Sequence, residues 1–368
     1  MDLGIPLVAV KGSYFDMGRQ YGEACAKLIR DNVEDYLGRF ERDIGLSRGD
    51  VDKLGTMFLE VVERYSSEIY DMLMGVAVGV QLEPSMIFAL NARTEILYGH
   101  GSREDACTSI AIQPSRTANG HTFVSQNWDW HPGQKGLSVL LRTEDESGFV
   151  VLSLVEAGML AKAGVNSSGI ALCGNLLVSE KDEVGSGVPY HCIMRGVLQS
   201  HSMADALRMA TDNERVSSGN ILIGDSEGSI IDLELTVGDF GHLLPIDGIL
   251  AHANHFDSAV EVKDMRKAKS ALTLLRPTRA RHLLDASKEL IGIESLGNVF
   301  RDHYSFPNGI CRHPDIRDGE DGLVASLYSI IIDVTAREMH IAESPICENE
   351  FFRVDLLEPA EQTLRVTS

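Results

Sequence analysis

The sequence predicts an α+β protein in which helices come first, a mainly antiparallel sheet region fills the middle, and further helices with a last hairpin close the chain. Three observations carry this reading. Apolar residues recur at helical spacing over the first hundred positions, the texture changes to period-two alternation at Ala106, and Gly, Asn, Asp and Ser break that alternation at short intervals.

Taken in order, a short extended lead-in precedes a helical pattern from Asp16 to about Gly45, with Met17, Tyr21, Cys25, Leu28 and Ile29 on one stripe. Helical patterns follow over Arg48 to Tyr65, Ser67 to Val80 and Pro84 to Tyr98, the last announced by Glu83-Pro84-Ser85 because proline suits a first helical turn. CTSIAIQP and HTFVSQNW then flank Asn119-Gly120, a hairpin signal, and LSVLLRTEDESGFVVLSLV reads as another strand, turn and strand. More strands lie in MLAKAGVNSSGIALCGNLLV and NILIGDSEGSIIDLELTV. Ser202 to Asn213, Lys267 to Leu290 and Leu296 to Tyr304 are helical patterns, and Ser326 to Val334 with Met339 to Ala342 form a closing hairpin. Pro307 to Gly322, rich in Gly, Asp and Pro, reads as a long surface loop. There is no internal repeat and no convincing linker, so one structural domain is expected.

The chain has 368 residues, and its 44% hydrophobic content is that of a globular protein with a sizeable core. Its formal charge of -21 repels phosphate backbones and anionic bilayers, which argues against nucleic acid or membrane partners. No basic leader with a long apolar run opens the chain, and no segment approaches the roughly 18 apolar residues of a membrane helix. A cytoplasmic location is the expectation. Cys25, Cys107, Cys173, Cys192, Cys311 and Cys347 are scattered without C-x-x-C, a spacing that suits reduced thiols better than a disulfide framework.

Several chemistries lack their required context. Gly224 to Gly228 matches G-x-S-x-G, but a strand follows Ser226 where a nucleophile elbow needs a helix, so a polar hairpin loop is expected. His252 and His255, and the pair His303 and His313, have no H-E-x-x-H and no cysteine pair at zinc spacing beside them, so no metal is expected. There is no dinucleotide fingerprint and no Walker loop.

Cys107 stands out because it begins a strand at the boundary between the helical and sheet-rich segments, after the small residue Ala106. A thiol there is placed to attack its own preceding carbonyl. Hydrolysis after such an N-to-S acyl shift would leave Cys107 as a new N-terminus, whose α-amine, with an ordinary pKa of about 7.7 to 8.0, can serve as base for the adjacent thiol. The other reading is a small buried hydrophobe, the usual fate of a cysteine.

Asp105-Ala106-Cys107-Thr108-Ser109, Gln126-Asn127-Trp128-Asp129-Trp130 and the run Gly12 to Gly22 (GSYFDMGRQYG) resemble the acyl-coenzyme A:6-aminopenicillanic acid acyltransferase family of autoproteolytic N-terminal-nucleophile (Ntn) hydrolases. Gly164 to Gly169, Ala253 to Phe256 and Ser329 to Arg337 extend the resemblance in order over nearly the whole chain.

The resemblance implies a four-layer αββα sandwich of two antiparallel sheets, with residues 1–106 as the small chain after self-cleavage and 107–368 as the large catalytic chain, the two remaining associated. It implies Cys107 as nucleophile, Asp129 as the acid orienting its amine, Asn254 as an oxyanion donor and Arg337 as an arginine near the active centre, while Asp105, Ala106 and Thr108 flank the scissile bond. Bland readings stand beside these: Asp129 as a capping residue, Asn254 as the satisfier of a buried loop, Arg337 as a partner of Glu338 or Asp333. The family often has glycine before the cysteine, and Ala106 departs from it, since alanine enters positive φ far less readily. The expected activity is cleavage of a linear amide or thioester through an acyl-enzyme, with transfer of the acyl group to water or an amine. Alternatives are an acyl-CoA-dependent N-acyltransferase proper, an uncleaved hydrolase using Ser226, and a non-catalytic binding protein on the same scaffold. No cofactor is expected, coenzyme A entering only as substrate or product; the partner is a small-molecule amide or acyl thioester, and a homo-oligomer is left open.

Overall fold

The computed structural model describes residues 4–100, 106–267, 271–286, 289–319 and 323–357. Strand β1 (Leu7–Lys11) leads into helices α1 (Tyr14–Ala24), α2 (Ala26–Ile44), α3 (Arg48–Tyr65), α4 (Ser67–Val80), α5 (Pro84–Asn91) and α6 (Arg93–Gly99). Strands β2 (Ala106–Ile112), β3 (Phe123–Trp130), β4 (Ser138–Glu144), β5 (Val150–Glu156), β6 (Ala163–Asn166) and β7 (Ile170–Leu176) follow. After α7 (Tyr190–Leu198) and α8 (Met203–Thr211) come β8 (Gly219–Asp225), β9 (Ile230–Thr236), β10 (Asp239–Leu243) and β11 (Ile249–His252). Helices α9 (Leu275–Ala286) and α10 (Ile293–Phe300) and strands β12 (Ala325–Asp333), β13 (Glu338–Glu343) and β14 (Phe352–Asp355) complete the described chain.

The helices start where local chemistry satisfies their first amides. Ser13, Ser47, Ser66 and Ser202 accept from backbone N–H groups three residues on, and Ser47 with Asp50 forms a reciprocal capping box. The single helices expected over 16–45 and 84–98 are each two, broken at Cys25 and Ala92, whose backbones leave helical geometry. Helix α7, absent from the periodicity reading, is buried along its whole length, which erases the polar stripe that such a reading needs.

The strands form an eight-stranded sheet in the order β1-β4-β5-β6-β7-β8-β9-β10 and a six-stranded sheet in the order β11-β2-β3-β12-β13-β14. Pairing is antiparallel except where β1 lies parallel to β4. β2 and β3 pack across β7 and β8, so the two sheets meet face to face. Alternation along β2 and β3 then divides the side chains: Cys107, Ala111, Val124 and Trp128 join the core between the sheets, while Ile110, Ile112 and Phe123 pack with Ala280 and Leu284 of α9 and Leu296 and Phe300 of α10. Helix α7 covers β6 and β7 on the other side, with α4 and α5 against it. The result is the αββα layering, and the N-terminal helices share the main core with the sheets.

Helices α1 and α4 cross at unusually short range through glycines. A Cβ on Gly18 would overlap the Met72 carbonyl oxygen, and one on Gly75 the Phe15 carbonyl oxygen. No described helix is long and apolar enough to cross a membrane.

Candidate active site

β2 and β3 place the site. Residues 113–122 connect them, a longer link than the two-residue turn expected at Asn119-Gly120, because a 3-10 turn at Pro114–Arg116 intervenes. Cys107 pairs with Trp128, which pairs in turn with Tyr328 of β12, and the two rings stack with centroids 5.5 Å apart. Cys107 is 1% exposed. The Lys162 ammonium lies 3.9 Å from the Trp128 ring centroid and pairs with Glu156 at 3.1 Å, and Arg93 joins the same carboxylate at 2.9 Å while covering Trp130. Burial pushes the Glu156 carboxyl up, but the two cations outweigh it and hold the group at about 2. A locked cationic frame therefore fixes both tryptophans that flank Asp129.

The backbone of Cys107 is gripped by a residue that follows β11 and by one of α9. Its N–H donates to Asn254 Oδ1 at 2.7 Å, and its carbonyl accepts from Arg276 Nη1 of α9. Arg276 Nη2 donates to the same Asn254 Oδ1 at 2.8 Å, and Nη1 donates to Thr108 Oγ1 at 3.0 Å. Asn254 is itself held by its N–H donating to Thr273 Oγ1 and by Nδ2 donating to Leu176 O at 3.0 Å. Burial pushes the Arg276 guanidinium down to about 10, with Asp129 the main opposing influence, so it remains a cation at neutral pH.

Asp129 lies opposite Ala106 in the β2–β3 register and 4.0 Å from Arg276 Nη1. Its Oδ1 accepts from Ser326 Oγ at 2.5 Å, at the register shift between Ser326 and Tyr328 in β12. Cys107, Thr108, Asp129 and Asn254 are thus brought together. Beneath them a buried polar layer links Ser109, Gln126, Asn175 and His252 to Glu234. In that layer burial opposes protonation of His252, yet Asp232 and Glu234 prevail and raise its pKa.

Arg337 is not brought there. Asp333 lies five positions beyond Tyr328 along β12, about 17 Å at about 3.4 Å per residue, and Arg337 sits past it in the turn to β13, donating to Thr335 O. The arginine at Cys107 is Arg276, which the sequence reading missed. Its only signal was a basic residue at the start of a helix far along the chain. Ser226 lies at the Arg337 end too, in the β8–β9 turn, where its carbonyl accepts from Thr335 Oγ1. Asp105 is outside the described residues, and Ala106 is described only through its backbone.

Of the remaining cysteines, burial raises Cys25 to about 12 and lifts Cys173 and Cys192 further, which leaves them inert thiols. The pair His303 and His313, set aside as metal ligands on spacing alone, converges with Cys311 and Cys347.

A two-sheet sandwich between helices thus places a buried thiol at the start of an inner strand, with its backbone held by an amide and a guanidinium. The chain belongs to the acyl-coenzyme A:6-aminopenicillanic acid acyl-transferase family, whose model matches residues 115–342. It is similar to the acyl-coenzyme A:6-aminopenicillanic-acid-acyltransferase 40 kDa form of Emericella nidulans, 26% identical over 347 residues and 90% of each chain. Among solved structures, it resembles a variant of the conjugated bile acid hydrolase from Clostridium perfringens (TM-score 0.46, 14% identity, 68% of this chain and 92% of that one). It also resembles the penicillin V acylase from Agrobacterium tumefaciens (TM-score 0.45, 13% identity, 68% of this chain and 86% of that one).

Proposed function

We propose that the protein is a self-processing cysteine enzyme that cleaves a linear amide or thioester and passes the acyl group to water or an amine. The observation that carries this is the grip on one atom: the Cys107 nitrogen, 2.7 Å from Asn254 Oδ1, is the atom that cleavage would convert to an amine. In processing, the Cys107 thiol attacks the Ala106 carbonyl carbon, the C–N bond breaks as the proton passes to nitrogen, and water hydrolyses the resulting thioester. Ala106 then ends in a carboxylate and Cys107 begins with an amine.

Asn254 Oδ1 accepts one N–H of that amine and so aims its lone pair away from the amide, toward the thiol. The neighbouring Arg276 cation disfavours the ammonium form and keeps the amine a base, while Asp129 across the strand pair offsets part of that charge. With substrate, the thiolate attacks the acyl carbon, the leaving amine or thiol takes the proton, and an acyl-enzyme thioester remains for water or an amine acceptor. Asn254 Nδ2 gives one of its two hydrogens to Leu176 O, and the second serves as the oxyanion donor. Kinship to an acyl-coenzyme A-dependent relative supports acyl transfer, with the acceptor set by how well the pocket excludes water.

Intact-mass measurement of the purified protein tests this. The expected result is two fragments, Met1 to Ala106 and Cys107 to Ser368, with the larger gaining an acyl mass on exposure to amides or thioesters. Cys107→Ala stays whole and inactive. One unbroken, inactive mass for the unaltered chain after long incubation would sink the proposal.

A further inference from the structure

Outside the active site, four side chains that ligate metals converge on one point. His313 Nε2 lies 3.1 Å from His303 Nε2, 3.5 Å from Cys311 Sγ and 3.6 Å from Cys347 Sγ, and all four ligand atoms fall within 4.8 Å of one another. A single ring nitrogen carries either one proton or one lone pair, so it cannot satisfy three such neighbours by hydrogen bonding. Four ligand atoms at about 2.0–2.3 Å from one zinc ion stand about 3.3–3.8 Å from each other. The observed separations bracket that range. The donor set of two thiols and two imidazoles is that of a closed, tetrahedral zinc site, and it holds no carboxylate that would favour a harder ion.

We propose that His303, Cys311, His313 and Cys347 bind one zinc ion as a structural site. Three ligands come from the segment after α10 and the fourth from the segment between β13 and β14, so the metal ties two loops that are otherwise held by few apolar contacts. Cys311 is buried while His303 is exposed, which leaves a path for the ion from solvent. Zinc binds cysteine as thiolate, so binding is accompanied by release of thiol protons.

The site also reaches the catalytic centre through the chain. Cys311 and His313 flank Arg312, whose N–H donates to Ser326 Oγ at 2.9 Å and whose carbonyl accepts from Ser326 N–H at 3.0 Å; Ser326 Oγ donates in turn to Asp129. Fixing Cys311 and His313 fixes the strand segment that holds the Asp129 carboxylate.

The test is metal content of the full-length chain produced with zinc supplied and then desalted. About one zinc per chain is expected, falling to about a tenth or less in Cys347→Ser and in His303→Asn, the latter at a solvent-exposed ligand. Cobalt substituted into the unaltered chain should give the intense visible bands and near-ultraviolet thiolate charge transfer of a tetrahedral two-thiolate site. The proposal fails if zinc content is unchanged in both variants, if cobalt gives no such spectrum, or if Cys311 and Cys347 are found joined as a disulfide or remain fully reactive to thiol reagents after zinc exposure.

Discussion

Arg276 Nη2 and the Cys107 N–H share a single acceptor, Asn254 Oδ1, at 2.8 and 2.7 Å. Both lone pairs of that oxygen are used, so the amide cannot rotate without breaking a charge-assisted bond, and the Cys107 nitrogen is held as firmly as the guanidinium that braces it. Arg276 acts here as a positioning residue, donating to the backbone carbonyl of the cysteine.

Replacing the planar fork removes this bracing. Arg276→Lys keeps the charge but cannot span Asn254 Oδ1, Thr108 Oγ1 and the Cys107 carbonyl together. Losing charge-assisted bonds worth about 3 kcal/mol lowers the rate of acyl-enzyme formation about 100-fold. The loss should fall on kcat more than on KM, read as mass gained by the Cys107 fragment at saturating substrate. Arg337→Ala, at the far end of the sheet, should change that rate less than about twofold. The reverse ranking of the two variants would refute the placement.

The glycines between α1 and α4 reverse a common expectation. Gly→Ala within a helix ordinarily gains about 1 kcal/mol from propensity. At Gly18 and Gly75 the added methyl meets backbone carbonyls of the facing helix, which no rotamer change can move aside. Each substitution should cost about 3 kcal/mol or more, measured by denaturant unfolding, whereas Gly38→Ala, where only the far end of the Arg42 side chain approaches, should not destabilise. Unchanged midpoints for Gly18→Ala would contradict the close crossing.

Much of this was legible in the chain, and the exceptions have physical causes. Helices α3 and α4 appear over the residues their periodicity marks, because each presents one apolar face and begins at a serine cap. The β2–β3 pair and the place of Cys107 at its start were equally readable, since alternation reports a strand directly. The breaks at Cys25 and Ala92 were not, because apolar spacing continues through them while tertiary packing redirects the axis. Arg276 stands 169 residues from Cys107, and no local pattern records which helix face a sheet will meet. The Ser329 to Arg337 run was recognised as a strand and turn, but its end turns away from the thiol, so family resemblance in sequence carried Arg337 to a role its position does not serve. The cluster of His303, Cys311, His313 and Cys347 shows the same limit: the first three lie close in sequence but without a standard zinc spacing, and Cys347 joins them only where two loops meet in space.

Glu95 supplies a pH dependence independent of catalysis. Its carboxylate in α6 is buried, with Oε1 accepting from Ser217 Oγ at 2.6 Å and from Tyr190 N–H at 2.9 Å. Burial raises its pKa from 4.5 to about 7 against the pull of those donors. The fold prefers the protonated acid, so this group's contribution is whole below pH 4.5 and is lost as pH rises through about 7. A separation of about 2.5 in pH, at about 1.4 kcal/mol per pH unit, gives a loss of about 3 kcal/mol by pH 8. Glutamine matches the protonated acid in shape and keeps an oxygen for Ser217 and Tyr190. Glu95→Gln should therefore match the unaltered protein at about pH 4 and exceed it by about 3 kcal/mol at about pH 8.5 in denaturant unfolding. The difference should grow smoothly between those limits, with its midpoint about halfway between 4.5 and 7. A constant offset between the two proteins across that range would mean that Glu95 ionises no differently in the fold than in the unfolded chain.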